Sequence, residues 1–316
     1  MIMTNMTRSQ KRGNNKKKYI ILSLIFVPLL LIAAVFTFGY LQYKSAFENS
    51  KDDSILDDEP IEFNPVEVTD EKYNVLMLGI DARGEEQSRT DTIMIAQYDE
   101  KTKDTKLVSI MRDTYVEIPG HDPNKINAAH AIGGVELLRK TIKHNFGVDL
   151  HYYAIVDFQS FPKVVDVAFP DGVEIDVEKD MSKGIDHALT AGKQTLNGDQ
   201  LLDYVRFRQD SESDFGRVRR QQEVLKVLSS EFSELNTLVK LPKIMGTAMP
   251  YIKTTMENSL LFKIGPSVLF ENKSEMESLR IPMDGTYTDE RYDHAGLVLA
   301  ADIETNKKAI QDFLGE

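Results

Sequence analysis

The stretch Asn74–Asp113, NVLMLGIDARGEEQSRTDTIMIAQYDEKTKDTKLVSIMRD, holds three apolar runs: Asn74–Ile80, Thr92–Tyr98 and Lys106–Met111. Each has the length of a strand and is bounded by Gly, Asp or charged turns, the pattern of buried strands. An up-down-up meander puts loop 81–91 at one end of the sheet and loop 99–105 at the other. Asp81, Arg83, Arg89, Asp91, Arg112 and Asp113 then gather at the first end through topology alone. The other loop, DEKTKDT, reads as a solvated turn. Charged strand ends are common on any sheet, so the asymmetry between the two ends is what marks the first as a candidate site.

Outside this stretch, composition bounds the answer. A chain of 316 residues with 41% hydrophobic content can hold one large domain plus appendages. It has no Cys, which excludes disulfides, thiolate metal sites and cysteine nucleophiles. Residues 1–18 carry Arg8, Lys11, Arg12, Lys16, Lys17 and Lys18 without an acid, and 19–43 carry no charge. The run Ile20–Tyr40 matches a hydrocarbon core of about 30 Å. It is longer than a signal-peptide apolar region and lacks a good cleavage site. We therefore expect a cytoplasmic basic tail at 1–18, an uncleaved transmembrane signal anchor at 19–43, an acidic linker at 44–71 and an extracytoplasmic catalytic domain at 72–316. The basic flank keeps the N-terminus cytoplasmic, making a single-pass type II protein of the cell membrane. Positions 1–47 hold seven positive residues and no acid, so the rest carries −19 of the −12 total. Such an acidic domain is a poor nucleic-acid binder, and no nucleic-acid partner is expected. The linker, rich in Asp, Glu and Pro, reads as a disordered spacer.

Beyond the meander, Lys125–Gly147 has helical spacing interrupted at Gly133-Gly134, with a second helix from Val135 to Asn145 ended by Gly147. Strands are expected at Tyr152–Asp157 and Val173–Val177, and a helix at Ser160–Val167. Another helix starts at Asn197, a candidate cap. Alternation of strands and helices argues for α/β, with a mixed sheet because the first strands look like hairpins. Tyr204–Arg208 reads as extended, placing Arg206 and Arg208 on one face. Such a pair is either a solvated strand edge or a grip for an anion, for which the guanidinium fork is suited. Asp214 is a plausible cap for a helix to about Phe232, on which Arg217 and Gln221 share a face. Arginines at a helix start oppose its dipole, a cost that an anionic ligand would offset. Later segments read as helices at Leu241–Tyr251, Ser259–Leu269 and Asp302–Leu314, with a strand at Ser278–Pro282. The histidines show no metal-ligand spacing, and no P-loop or serine elbow is present. Asp81 and Asp91 are hard oxygen ligands suited to Mg2+ or Mn2+ beside substrate phosphates. With six arginines around them, a di- or polyphosphate is the fitting ligand. An outward-facing enzyme has no ready ATP, which favours a membrane-borne phosphate donor.

The motifs GIDARG, SRTDTIMI, SIMRDTYVEIPG, KINAAHAIGG, LLDYVRFRQD and DFGRVRRQQ, in this order, resemble the signature of the LytR–CpsA–Psr proteins, and most resemble MsrR-type members. One departure stands at Met111, where the family pattern has Pro. The resemblance implies an α/β/α sandwich with a mixed sheet. It also implies a phosphotransferase that moves an anionic glycopolymer, teichoic acid or similar, from polyprenyl diphosphate to a peptidoglycan hydroxyl, with the prenyl chain in an apolar pocket. By this resemblance Asp91 and Arg112 are catalytic and Asp81 and Asp91 hold the metal. Arg83, Arg89, Arg206, Arg208, Arg217 and Gln221 bind the diphosphate, while Asp113 fixes Arg112. Two competing readings are a regulatory or attenuator protein that affects wall-antibiotic resistance without turnover, and a polyprenyl-diphosphate pyrophosphatase. The topology has its own test: protease added to intact protoplasts should digest everything after about residue 45, and full protection would overturn it.

Overall fold

The computed structural model describes residues 34, 36–51, 56, 59–80, 90–232, 235–266 and 276–315. Its centre is a six-stranded mixed sheet with the order β10-β3-β2-β1-β6-β9. The three runs of the opening stretch form β1 (Lys72–Ile80), β2 (Thr90–Asp99) and β3 (Thr105–Ile110). They pair antiparallel in succession, as the meander requires. β6 (Tyr152–Asp157) runs parallel to β1, and β10 (Glu277–Ile281) runs parallel to β3. β9 (Ile252–Thr254) closes the other edge against β6. In this order the ends of β1, β3, β6 and β10 and the starts of β2 and β9 all lie at one end of the sheet. Ile80, Thr90 and Arg112 are at that end, while the turn between β2 and β3 is at the other.

Strand alternation assigns the two faces. Leu76, Leu78 and Ile80 of β1 pack with Leu138 and Ile142 of α2 (Ile126–Phe146) and with Ile310 of α8 (Ile303–Leu314). Met77 and Gly79 turn to the other face, covered by α3 (Phe161–Ala168), α5 (Asp214–Phe232) and α6 (Leu235–Ala248). This is the expected three-layer arrangement. α2 breaks where expected: Gly133 and Gly134 are non-helical, and Gly147 caps the helix in the left-handed region. A second core joins β7 (Val173–Val177) and β8 (Gly192–Leu196) to α3, α5 and α4 (Gly198–Arg206). Asn197 caps α4 with a full capping box to Gln200, an arrangement of about 1 kcal/mol.

Three features differ from expectation. Arg206 is not in an extended segment. It is the last residue of α4, where a cation suits the helix dipole, and the chain becomes extended only at Phe207. A hairpin of β11 (Tyr287–Tyr292) and β12 (Gly296–Ala301) has no counterpart in the sequence reading. The short pair β4 (Tyr115–Val116) and β5 (Asn124–Lys125) and the helix α7 (Asn258–Pro266) complete the described elements. The third difference is in the expected spacer. Within residues 59–71, which are otherwise mostly exposed, Phe63 is edge-on to Tyr153 at 5.1 Å and Ile61 packs on the main core. Average acidity hid these two apolar residues. Asn64 N–H also donates to Glu136 at 2.9 Å.

The expected membrane span at 19–43 lies largely outside the described residues, and no helix among them is long and apolar enough to cross a membrane. Residues 36–51 are helical (α1). Phe36, Phe38, Tyr40 and Leu41 of α1 are exposed. A Cβ at Gly246 of α6 would lie 2.3 Å from the Tyr43 carbonyl oxygen, so α1 packs closely on α6.

Glu136 gives the fold an acid limit. Burial opposes its ionisation, but Arg139 and the Asn64 N–H outweigh this and lower its pKa to about 2. The folded value lies below the ordinary one near 4.5, so the stabilisation is present above that pH and is lost as pH falls towards 2. Urea unfolding should show a loss of at most about 3 kcal/mol across this window. Glu136→Gln should be less stable at pH 7 and should flatten the acid slope.

Candidate active site

The end of the sheet marked by the sequence is irregular in one informative place. Gly79 pairs with Thr92 and Ile80 with Thr90, so Asp91 is an extra residue in β2 with no partner in β1. Such bulges re-aim the chain beside functional sites. The register sets Ile80, the last residue of β1, opposite Thr90 and beside the bulge at position 91. Asp81, Arg83 and Arg89 lie outside the described residues, and for Asp91 only the backbone is described. Thr90, fully buried, is held by His130, whose Nδ1 lies 2.8 Å from the Thr90 hydroxyl. Burial lowers the His130 pKa and keeps the imidazole neutral at neutral pH.

The remaining residues named from the sequence do converge. Arg206 from the end of α4, Arg208 from the following loop, and Arg217 and Gln221 from one face of α5 line a single small recess with Thr92 and Phe158. The shared face of Arg217 and Gln221 is as helical spacing requires. Arg112 joins the group through Asp214. The Asp214 carboxylate lies 2.8 Å from Arg217, 3.8 Å from Arg208 and 4.0 Å from Arg112. Sequence reasoning took Asp214 for a helix cap. It is instead the first residue of α5 and an ion-pair hub for three arginines, so the cost of arginines at a helix start is met from within. Only its position at the head of DFGRVRR hinted at this. Asp113 lies 3.6 Å from Arg112 and 2.7 Å from Lys125, as a residue that orients Arg112 would. Lys125 was not anticipated.

The next turn of α5 fixes the frame. Arg220 is fully buried. Its guanidinium is 2.7 Å from Glu178 and 3.1 Å from Asp210, and it donates to the Phe207 carbonyl. A buried charge needs such compensation, and removing one partner costs about 3–5 kcal/mol. The clasp therefore holds segment 207–210, and with it Arg208, against α5. Among the described residues, Glu178, Asp210 and Glu212 are the trio whose carboxylates lie close enough to share a cation. Arg219, Arg220 and Lys179 already neutralise that trio, so it is structural.

Behind the recess lies an apolar cavity of about 210 Å³ between the sheet and the α3/α5/α6 layer. Met77 and Met94 contribute to its lining, together with Val164, Leu225 and Ala248. The cavity and the recess share Thr92, Phe158, Val205 and Gln221. Gln221 donates to the Thr92 hydroxyl at 3.3 Å across the junction. A cationic mouth opening on an apolar chamber suits an amphiphile with an anionic head. Met111, at the position where Pro is usual, is buried, packs with Val218 of α5, and donates its N–H to the Ile281 carbonyl at 2.8 Å. That hydrogen bond, which proline could not make, extends the β3–β10 pairing.

These features belong to a known class. The sequence profile of the LytR_cpsA_psr family matches residues 37–310, and the chain belongs to that family. It is 46% identical over 255 residues to "Regulatory protein MsrR" of Staphylococcus aureus (strain COL), covering 81% of this chain and 78% of that protein. It is 34% identical over 218 residues to "Polyisoprenyl-teichoic acid--peptidoglycan teichoic acid transferase TagU" of Bacillus anthracis (strain CDC 684 / NRRL 3495), covering 68% and 70%. Among solved structures, TagT bound to LIIa-WTA superposes with a TM-score of 0.62 at 29% identity, covering 83% of this chain and 96% of that one.

Phe158 stands at the junction, and Gly79 makes room for it: a Cβ there would lie 2.3 Å from the Phe158 ring. Gly79→Ala should push the ring into the passage. Binding of a long-chain alkyl phosphate, read by calorimetry, should weaken at least tenfold, while binding of inorganic pyrophosphate should change less than twofold.

Proposed function

We propose that this protein is a membrane-anchored phosphotransferase that moves an anionic glycopolymer, a teichoic acid or similar, from polyprenyl diphosphate to a peptidoglycan hydroxyl. The observation that carries this reading is the continuity of the arginine recess with the apolar cavity. Arg206, Arg208 and Arg217 grip the diphosphate, Gln221 orients it, and the prenyl chain enters the cavity. Arg83 and Arg89 on the neighbouring loop add to the grip. The exposed aromatic face of α1 and its packing on α6 bring the cavity layer towards the bilayer, with the domain outside the cell.

In the reaction, the acceptor hydroxyl oxygen forms a bond to the glycopolymer-bearing phosphorus. The bond from that phosphorus to the bridging oxygen breaks, and polyprenyl phosphate leaves. Asp91 takes the hydroxyl proton, and Arg112 stabilises the charge developing at phosphorus. Asp214 and Asp113 hold Arg112 in place. Asp81 and Asp91 would hold Mg2+ or Mn2+, since carboxylate oxygens are hard donors suited to such a cation beside a diphosphate. When bound, the metal neutralises charge on the diphosphate.

Each charge-assisted contact to the diphosphate contributes about 1.5–3 kcal/mol. Arg112→Ala should cut transfer at least tens-fold, since tenfold is about 1.4 kcal/mol. Arg112→Lys should rescue only in part because the fork is lost. The assay is release of polyprenyl phosphate from a lipid-linked glycan donor with a peptidoglycan acceptor. The regulatory name of a 46% identical relative favours a second reading, binding without turnover. Donor binding with no acceptor-dependent release would establish that reading and sink the transferase. Equal release with water alone would indicate a pyrophosphatase.

The metal role has its own measurement. Asp81→Ala and Asp91→Ala should each lower transfer and blunt its dependence on Mg2+. Wild-type turnover by either variant in the presence of chelator would remove that residue from the metal site.

A further inference from the structure

A second concavity, about 480 Å³, lies between β4, the β11–β12 hairpin, the end of α2 and the start of α8. It is on the α2/α8 side of the sheet, whereas the apolar cavity is on the other. Its chemistry is also opposite. Tyr115, Tyr292, Glu117, Glu304 and His144 contribute to its lining, and no Lys or Arg does. Tyr115 and Tyr292 are stacked with ring centroids 4.6 Å apart, and His294 flanks both at 6.2 and 6.0 Å. Glu117 is held in place: its N–H donates to Asn145 Oδ1 at 3.1 Å, its carbonyl accepts from Asn145 Nδ2 at 2.7 Å, and its carboxylate meets His144 at 2.8 Å. Glu304 is exposed in the first turn of α8.

Two carboxylates and no Lys or Arg in the lining disfavour a phosphate-bearing polymer, which sets this groove apart from the arginine recess. The outer face and edges of a stacked aromatic pair, with carboxylate acceptors beside them, suit an uncharged molecule with C–H faces and hydroxyl or amide donors, the chemistry of a neutral sugar chain. The groove is also coupled to the candidate active site. Tyr115 is three residues from Arg112 on a continuous segment. Its β-partner is Lys125, which pairs with Asp113, and Leu299 N–H of β12 donates to the Asp113 carbonyl at 2.9 Å. A ligand in the groove therefore touches the two strands that frame Asp113 and Arg112.

We propose that this groove binds an uncharged N-acetylated glycan strand, and that it is the acceptor subsite. The second part rests on the transferase reading above; the first part does not. The donor head and the acceptor strand then approach the Arg112 segment from opposite faces of the sheet, which keeps the anionic and neutral polymers apart.

The test uses the full chain in detergent micelles, titrated calorimetrically with N-acetylated chitotetraose. Wild type should bind. Tyr292→Ala should weaken binding at least tenfold and Glu304→Gln at least threefold, while Tyr292→Phe, which keeps the stack, should stay within twofold. A glycerol phosphate oligomer should not compete. In the transfer assay Tyr292→Ala and Glu304→Gln should raise the acceptor KM by the same factors and leave donor KM and kcat unchanged. Glu304 is exposed on a helix surface, so its variant tests the groove even if Tyr292→Ala disturbs the hairpin. No binding by wild type, unchanged affinity in Glu304→Gln and Tyr292→Ala, or displacement by the phosphate oligomer would overturn the assignment. Glycan binding by a wild type that never transfers would overturn the transferase reading and leave the glycan site standing.

Discussion

A single buried guanidinium holds the functional end of this molecule together. Arg220 has no access to water, so its charge must be met by protein groups, and Glu178, Asp210 and the Phe207 carbonyl meet it. Those groups come from the segment after β7 and the loop after α4. Compensating one charge therefore ties both to α5. Once that tie is made, Arg208 in the loop and Arg217 one turn earlier on α5 are fixed against each other, with Asp214 between them. The arrangement separates two jobs usually confused in charged clusters. Arg220 is spent on architecture, whereas Arg206, Arg208 and Arg217 border a recess.

Holding several arginines together also requires an answer to their mutual repulsion. Asp214 supplies it before any ligand arrives, through contacts of 2.8 to 4.0 Å with Arg217, Arg208 and Arg112. One carboxylate within reach of three guanidiniums orders them against each other. Preorganised charge of this kind stabilises developing negative charge without reorganisation at the moment of reaction. The sheet does the rest. Alternation along β1 gives one face to a solid core with α2 and α8 and the other to a cavity under α5, so that a polar mouth and an apolar chamber meet at Thr92, Phe158 and Gln221.

Much of this was legible in the sequence, for reasons that are local. The meander showed itself because apolar runs of strand length were separated by charged turns. The break at Gly133-Gly134, the Gly147 stop and the Asn197 cap showed because each depends on a conformation or hydrogen bond that its own neighbours specify. Arg217 and Gln221 were paired correctly because helical spacing alone puts them on one face. The extended reading of Tyr204–Arg208 failed because alternating burial occurs equally where a helix ends and an extended turn begins: Val205 and Phe207 are both buried, on different secondary structure. The β11–β12 hairpin was missed because YTDERY is polar and mostly exposed, so the apolar run GLVLAA of β12 had no recognisable partner strand in the sequence.

The sequence by itself determined which end of the sheet would carry charge, the helix break at Gly133-Gly134, the stop at Gly147 and the cap at Asn197, and the set of arginines available. These depend on contacts between residues a few positions apart. Only the tertiary structure decided what the charges do. Asp113 and Asp214 are 101 positions apart, yet both lie within 4.0 Å of Arg112, and nothing local distinguishes either from a solvated acid. Likewise Arg217 and Arg220 sit three positions apart in one motif and are both buried, and only the partners brought by the tertiary fold set one beside Asp214 at the recess and make the other a clasp on Glu178 and Asp210. The physical reason is that a charge is defined by its surroundings: desolvation and pairing are long-range in sequence, and short-range pattern cannot report them.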